Sequence, residues 1–372
     1  MQEIKKRRIV IASVLKPVDD TRMLEKLGRS LADTQKFEVF IIGFPTRSVL
    51  TLEEGITLLP LPFFSRLSLT RALIPLKILR KCIQVKPDMV IVNSHELLIV
   101  GILNRIFFGS LIIYDIRENY FRNILLTDAF PKFLRWPLAL FVRLKERCFS
   151  PFFHHHFLAE KGYLKELTFV KNKSTVLENK VRVPPSFQRA PKPGRIRLVF
   201  TGTLAESTGV FQAIELAQQL HQKNEAIELM IVGYCAQPET FNRLIQAIEN
   251  QPFIGLKSGQ ELVPHSQIFE AIAEADFGII YYPPSPHTAN SIPTKLYEYL
   301  GCRLPILLQD YEPWVELCKP YHAAVVVNFS HPDLDLIQGA MKESHFYDQA
   351  PAGVTWTDEE PKLLEVVEKL LK

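Results

Sequence analysis

Two rhythms of apolar and polar positions alternate along the chain. Short runs rich in Val, Ile and Leu separate longer stretches whose apolar residues recur every three or four positions. The short runs predict strands at Arg8–Val14, Glu38–Ile42, Ile56–Leu59, Met89–Val92, Leu111–Tyr114, His155–Ala159 and Thr175–Leu177. The periodic stretches predict helices at Asp20–Ala32, Leu69–Ile83 with Pro75 as a kink, Leu97–Phe107 and Lys132–Phe149. Residues 182–194 break the rhythm, with four prolines and a glycine in thirteen residues and no apolar period, the signature of a linker. The alternation then starts afresh. Strands are expected at Arg197–Thr201, Leu229–Val232, Phe277–Tyr281, Pro305–Leu308 and Ala324–Asn328. Helices are expected at Gly209–Leu220, Thr240–Glu249, His265–Ala273, Pro293–Leu300 and Asp358–Leu371.

Strands alternating with helices indicate parallel βαβ construction, so the fold class is α/β with two doubly wound, Rossmann-like domains. The expected division is 1–181, a hinge at 182–194, a second domain at 195–357, and a helix at 358–372 that packs back toward the first domain. Ligands of such sheets bind beyond the carboxyl ends of the strands, so the two domains are expected to face each other across a cleft.

Composition narrows the class. With 372 residues the chain can bury two cores, and 47% apolar and 23% charged residues are a globular balance. Lys5–Arg8 before Ile9–Leu15 imitate a signal peptide, but the apolar run is short and Lys16, Asp19 and Asp20 follow, so it reads as a first strand. The five cysteines are scattered, which argues against a disulfide framework and a zinc site and fits a reducing compartment. His154–His156 are consecutive, so strand geometry sends their side chains to opposite faces rather than to one metal ion.

Charge is divided. Residues 1–180 hold 29 Lys and Arg against 17 Asp and Glu, a balance of +12, and residues 181–372 hold 15 against 23, a balance of −8. The basic residues of 66–86 and 130–149 stand among Leu, Ile, Phe and Trp136 at helical spacing, the pattern of a helix on an anionic membrane surface. No nucleic-acid reading motif accompanies them.

The most informative stretch runs from Asn290 to Ile306. Ser291 is placed to cap a helix and Pro293 to occupy its first turn. A helix start with free N–H groups and Lys295 suits a diphosphate, while Glu298, one turn on, suits vicinal ribose hydroxyls. An ordinary amphipathic helix with a Lys295–Glu298 pair is the plain alternative.

The run P-T-K-L-Y-E-Y-L-G-C-R-L-P-I-L (293–307) resembles the donor-binding signature of family 4 retaining glycosyltransferases of the GT-B type. Further stretches carry the same resemblance: Asp19-Asp20-Thr21-Arg22, Pro87–Val92 with His95-Glu96-Leu97, Asp115-Ile116-Arg117-Glu118, and Val199–Leu204 ahead of Gly209. Glycine at 202 lets the backbone approach an anion closely. The sequence departs from the family at three places. Asn290 stands for the first of two glutamates, Thr203 and Thr208 for basic residues near the phosphate loop, and Arg117 for the histidine of D-x-H-E.

The resemblance implies a retaining, metal-independent transfer from a nucleoside-diphosphate sugar to a glycan or lipid-linked acceptor, in cell-envelope or polysaccharide synthesis. No cofactor beyond that co-substrate and no metal is implied. Donor contacts fall to Gly202, Thr203, Asn290, Ser291, Thr294, Lys295 and Glu298; Arg117, Glu118 and Lys295 become the catalytic candidates, and Asp20, Arg22 and His95 the acceptor-side ones. The expected location is cytoplasmic, peripheral at the inner face of the membrane. The alternatives are a catalytically silent partner that binds a sugar nucleotide or glycan, and another sugar-nucleotide enzyme such as an epimerase.

Overall fold

A computed structural model describes residues 6–46, 54–64, 68, 70–126, 130–170, 172–284, 291–342 and 345–372. Two compact units emerge: 1–179 with 356–372, and 180–355. The first contains β1 (Arg7–Pro17), α1 (Arg29–Asp33), β2 (Phe37–Phe44), β3 (Ile56–Pro60), α2 (Thr70–Val85), β4 (Met89–Val92) and α3 (Leu98–Phe108). It continues with β5 (Leu111–Ile116), α4 (Tyr120–Leu126), α5 (Lys132–Phe149), β6 (His155–Leu158), α6 (Tyr163–Glu166) and β7 (Ser174–Val176). The second contains β8 (Ile196–Thr203), α7 (Val210–Lys223), β9 (Ile227–Tyr234), α8 (Pro238–Ile248), β10 (Ile254–Gly259) and α9 (His265–Glu274). After these come β11 (Phe277–Ile280), α10 (Thr294–Gly301), β12 (Ile306–Gln309), α11 (Glu312–Cys318), β13 (Ala324–Val327) and α12 (Leu334–Lys342). The last helix, α13 (Glu360–Leu371), belongs to the first unit.

Both sheets are parallel. The first has the order β3-β2-β1-β4-β5-β6-β7 and the second β10-β9-β8-β11-β12-β13. Parallel strands are covered on both faces and read as continuous apolar runs, which is why Ile9–Val14 and Met89–Val92 need no alternation. In the first unit Val10, Ala12 and Val92 pack with Ile74, Ile78, Leu98 and Val100 of α2 and α3. Their neighbours Ile9, Ile11 and Met89 point the other way, onto Leu31 of α1 and Leu363 and Val367 of α13. Two helical layers therefore sandwich this sheet. In each unit the strand order reverses once, between β1 and β4 and between β8 and β11, and those reversals open a crevice at the carboxyl ends of the strands.

Local structure departs from expectation at several places. The stretch read as one helix from Asp20 opens instead with wider i→i+5 turns over Thr21–Gly28, which turn Arg22 and Lys26 into the interior. The 182–194 stretch lies within the second unit and packs on it: Phe187 meets Phe269 edge-on, and the Arg189 guanidinium donates to the carbonyls of Arg303 and Ala275. Proline thus shapes a strap along this unit. The helix expected from Ser291 begins at Thr294, with Pro293 in the cap position and no side-chain cap, because the Ser291 carbonyl is engaged by the indole N–H of Trp314 at 2.9 Å.

Candidate donor and acceptor sites

In the second unit, three elements meet at the reversal between β8 and β11. The carboxyl end of β8 turns at Gly202, whose φ of +98° suits glycine and whose missing side chain leaves nothing within 4 Å. The loop from Thr203 to Gly209 is held by Thr208, whose hydroxyl accepts from the Ala205 N–H at 3.1 Å and lies 2.7 Å from the Thr203 carbonyl. Thr208 thus builds the loop, and Thr203 is exposed. Gly209 has φ +77°, and a Cβ there would stand 2.4 Å from the Tyr281 ring, so this loop end is pressed against the end of β11.

Helix α10 is pinned to the same place. The Tyr299 hydroxyl lies 3.2 Å from the N–H and 3.1 Å from the hydroxyl of Thr201, and its ring fills the space that a Cβ on Gly278 would need. That anchorage sets Lys295, in the first turn, directly over β8. Its ammonium sits 3.8 Å from the Phe200 ring centroid and 4.9 Å from that of Tyr282. Lys295 is buried, and among the described residues its nitrogen has no hydrogen-bond partner. Burial pushes its pKa down to about 7, against the raising influence of Glu298. The two aromatic faces compensate only part of the lost hydration. Lys295 is thus a buried side chain with no hydrogen-bond partner among the described residues, in the first turn of α10.

Glu298 is buried one turn further along α10, and its carboxylate lies 3.2 Å from Nε2 of His265 at the start of α9. The His265 ring packs in turn against Phe269. Sequence reading missed His265, Phe200 and Tyr282. The available signal was that Phe200 and Tyr282 close the two strands flanking the reversal, where a ligand would sit. Ser291 and Thr294 lie on the approach to the helix and at its first residue; Asn290 falls outside the described residues. A cavity of about 650 Å³ opens elsewhere, between α11, β13 and the end of α12, and none of its lining residues is in the donor set.

In the first unit, the loops after β1, β4 and β5 converge. Asp20 caps the helical turns by accepting from the N–H groups of Arg22 and Met23, and also accepts both prongs of Arg117 at 2.7 and 3.1 Å. Burial works against the Asp20 charge, but Arg117 and, more weakly, Lys16 hold its pKa down at about 2. Glu118 accepts from Asn123 at 2.5 Å and has Lys16 at 3.9 Å, so Arg117 and Glu118 serve different partners. His95 meets Tyr120 edge-on at 4.7 Å, its Nδ1 is buried with no hydrogen-bond partner among the described residues, and burial lowers its pKa to about 3. Asn93 Oδ1 and Ser94 Oγ, beside it in sequence, are likewise buried with no hydrogen-bond partner among the described residues.

Arg22 is a correction. Its side chain is 0% exposed and its guanidinium is consumed by Asp115 and the Leu177 carbonyl, while Asn93 donates to the same carboxylate. It ties β5 to the first turns of the chain and has no face toward an acceptor. The D-x-R pattern revealed its charge but not its burial. The histidine triplet also resolves into separate roles: His154 Nδ1 accepts from the Ile112 N–H, and His156 is buried beside Ser150 and the Lys173 carbonyl. Among the described residues no cluster of His, Cys, Asp or Glu could hold a metal ion.

Two parallel-sheet units, each with one reversal of strand order, are the architecture of the GT-B fold. Residues 185–335 match the family model described as glycosyl transferases group 1. Solved structures share the whole fold. A sucrose-phosphate synthase from Thermosynechococcus elongatus aligns with a TM-score of 0.72 at 12% identity, over 98% of this chain and 99% of that one. HepE from Anabaena in complex with UDP and glucose aligns with 0.62 at 13% identity, over 97% and 96%. A candidate UDP-N-acetylglucosamine 2-epimerase from Listeria monocytogenes aligns with 0.61 at 14% identity, over 98% and 97%. At such identities these likenesses establish the fold alone. No curated protein matches the chain by sequence.

Proposed function

We propose that the protein transfers a sugar from a nucleoside-diphosphate donor bound in the second unit to an acceptor hydroxyl received by the first, with retention at the anomeric carbon and without a metal ion. The observation that carries this reading is Lys295, a buried ammonium with no hydrogen-bond partner among the described residues, at a helix start beside the open Gly202 turn. When the bond from the anomeric carbon to the diphosphate breaks, negative charge gathers on the leaving phosphate. A fixed cation and backbone N–H groups in a water-poor crevice stabilise such charge without reorganising. Glu298, oriented by His265, suits the ribose hydroxyls. Support for a nucleotide sugar comes also from the group 1 domain and from the UDP-bound Anabaena neighbour. Synthesis of cell-envelope or polysaccharide glycans, with peripheral attachment to an anionic membrane, completes the reading and is supported by the +12 balance of the first 180 residues.

A silent nucleotide-binding partner is the second reading. It is favoured by Arg117, which stands at the position of the family's histidine and is clamped to Asp20. One experiment separates the two. Purified protein is given UDP-, GDP-, ADP- and dTDP-sugars in EDTA, and nucleotide release and the anomeric configuration of the product are followed by NMR. Release with retention supports the transferase. Tight nucleotide binding with no release from any donor supports the silent partner, and a strict need for magnesium or manganese contradicts the mechanism.

A further inference from the structure

Helices α2 and α3 close the core of the first sheet with Ile74, Ile78, Leu98 and Val100, and α5 lies beside α3, joined to the sheet by the Tyr114–Glu146 hydrogen bond and packed with Ala139 and Val142 against Ile124 of α4. A layer in a two-sided sandwich ordinarily turns a polar surface to water. This one does not. Of the twenty large hydrophobic side chains exposed among the described residues, thirteen belong to α2–α5, and none belongs to α1 or α13 on the opposite face. Leu76, Ile106, Phe107, Phe133, Trp136 and Phe141 are each more than half exposed.

The charges on this layer have one sign. Helices α2 to α5 contain eleven basic residues and a single acid, Glu146. Glu146 is buried beneath α5, where its carboxylate accepts from the Tyr114 hydroxyl at 2.8 Å. Arg71, Arg122 and Arg143 are paired with acids, whereas Lys77, Arg80, Lys81 and Lys132 flank the apolar side chains. Exposed apolar side chains and charge of one sign gathered on one set of helices are the features of a docking surface.

We propose that the outer face of the α2–α3–α5 layer docks flat on an anionic lipid surface, with its aromatic side chains inserted among the headgroups and its lysines and arginines on the phosphates. This rests on, and deepens, the reading of the first unit as the membrane-attached acceptor side. Charge complementarity selects the occupant. A second copy pairing through the same face would bring like charges together, which association disfavours, whereas anionic headgroups satisfy the cations while the acyl region takes the Phe and Trp side chains. The three helices begin at the carboxyl edge of the sheet. Arg71 in the first turn of α2 bonds Glu96 next to His95, so docking brings the candidate acceptor loops beside the headgroups.

The test uses the full chain and its own fluorophore. Of three tryptophans, Trp314 and Trp356 are buried and Trp136 is 62% exposed, so a change in emission on lipid binding reports Trp136. Phosphatidylcholine vesicles with phosphatidylglycerol should shift the emission to the blue and carry the protein into the pellet; phosphatidylcholine alone should do neither. The variant Phe107→Ser/Phe133→Ser/Phe141→Ser should lose at least about tenfold in partitioning, with its circular dichroism and UDP affinity unchanged. The proposal is overturned if the emission stays fixed at low salt, if the triple variant binds like wild type, or if the face instead mediates a concentration-dependent dimer that the variant abolishes. Failure of the transferase reading would show separately, as no nucleotide release from any of the four donor sugars by wild type that still binds the vesicles.

Discussion

Replacing Lys295 by methionine should make the protein more stable and less able to bind nucleotide. The ammonium of a free lysine holds its proton up to 10.5, whereas that of Lys295 releases it near 7 because burial strips its water. Each tenfold displacement of that equilibrium is worth about 1.4 kcal/mol, so the buried charge costs the fold on the order of 4 kcal/mol at neutral pH. Relaxation around a buried charge recovers part of this, which leaves about 1–3 kcal/mol as the gain expected from methionine. The sign follows from linkage. Because the unfolded chain holds the proton more tightly, wild-type stability rises with pH between about 7 and 10.5 relative to the variant. The gap between Lys295→Met and wild type is therefore largest at pH 7 and below and closes toward pH 10. Urea unfolding of both proteins at three pH values measures it, and calorimetry with UDP should show affinity falling roughly 10- to 100-fold. A variant that is less stable at pH 7 yet binds UDP normally would refute the view of Lys295 as a strained, ligand-directed cation.

Glu298→Gln should weaken UDP binding by about an order of magnitude, and His265→Ala should do so less, since His265 acts on the nucleotide through the Glu298 carboxylate; equal affinities in calorimetry would remove the ribose role. The Asp20 carboxylate, held near 2 in the fold against an ordinary 3.8, contributes stability above pH 4 that is lost as pH falls toward 2. That contribution is about 2 kcal/mol, so Arg117→Met should flatten acid unfolding in this window, measured by circular dichroism; an unchanged profile would detach Asp20 from Arg117.

The doubly wound halves were legible because strands buried on both faces leave unbroken apolar runs, as in Met89–Val92 and Phe277–Ile280. Five elements escaped notice for local reasons. Strand β10 carries a lysine and two glycines, α6 is four residues long, α4 and α11 are seven residues each, and α12 follows a loop of Ser, His, Pro and Asp. At the site, the motif pointed to Lys295 and Glu298, since a helix start and a cation are properties of local sequence. What the sequence concealed is tertiary: that Phe200 and Tyr282 flank the ammonium, that His265 orients Glu298, and that Arg22 is sealed beneath Asp115. Nor could periodicity reveal that the basic stretches of α2 and α5 share one layer with the apolar end of α3.

The central claim is that the donor nucleotide is held at the reversal between β8 and β11. Hydrogen exchange with and without UDP tests it most directly, since ligand contacts slow the opening of the amides they cover. Protection is expected at residues 202–209 and in the first turn of α10, and it should vanish in Lys295→Met. Protection confined to the first unit, or to the cavity lined by Cys318, His322 and Phe346, would contradict the account.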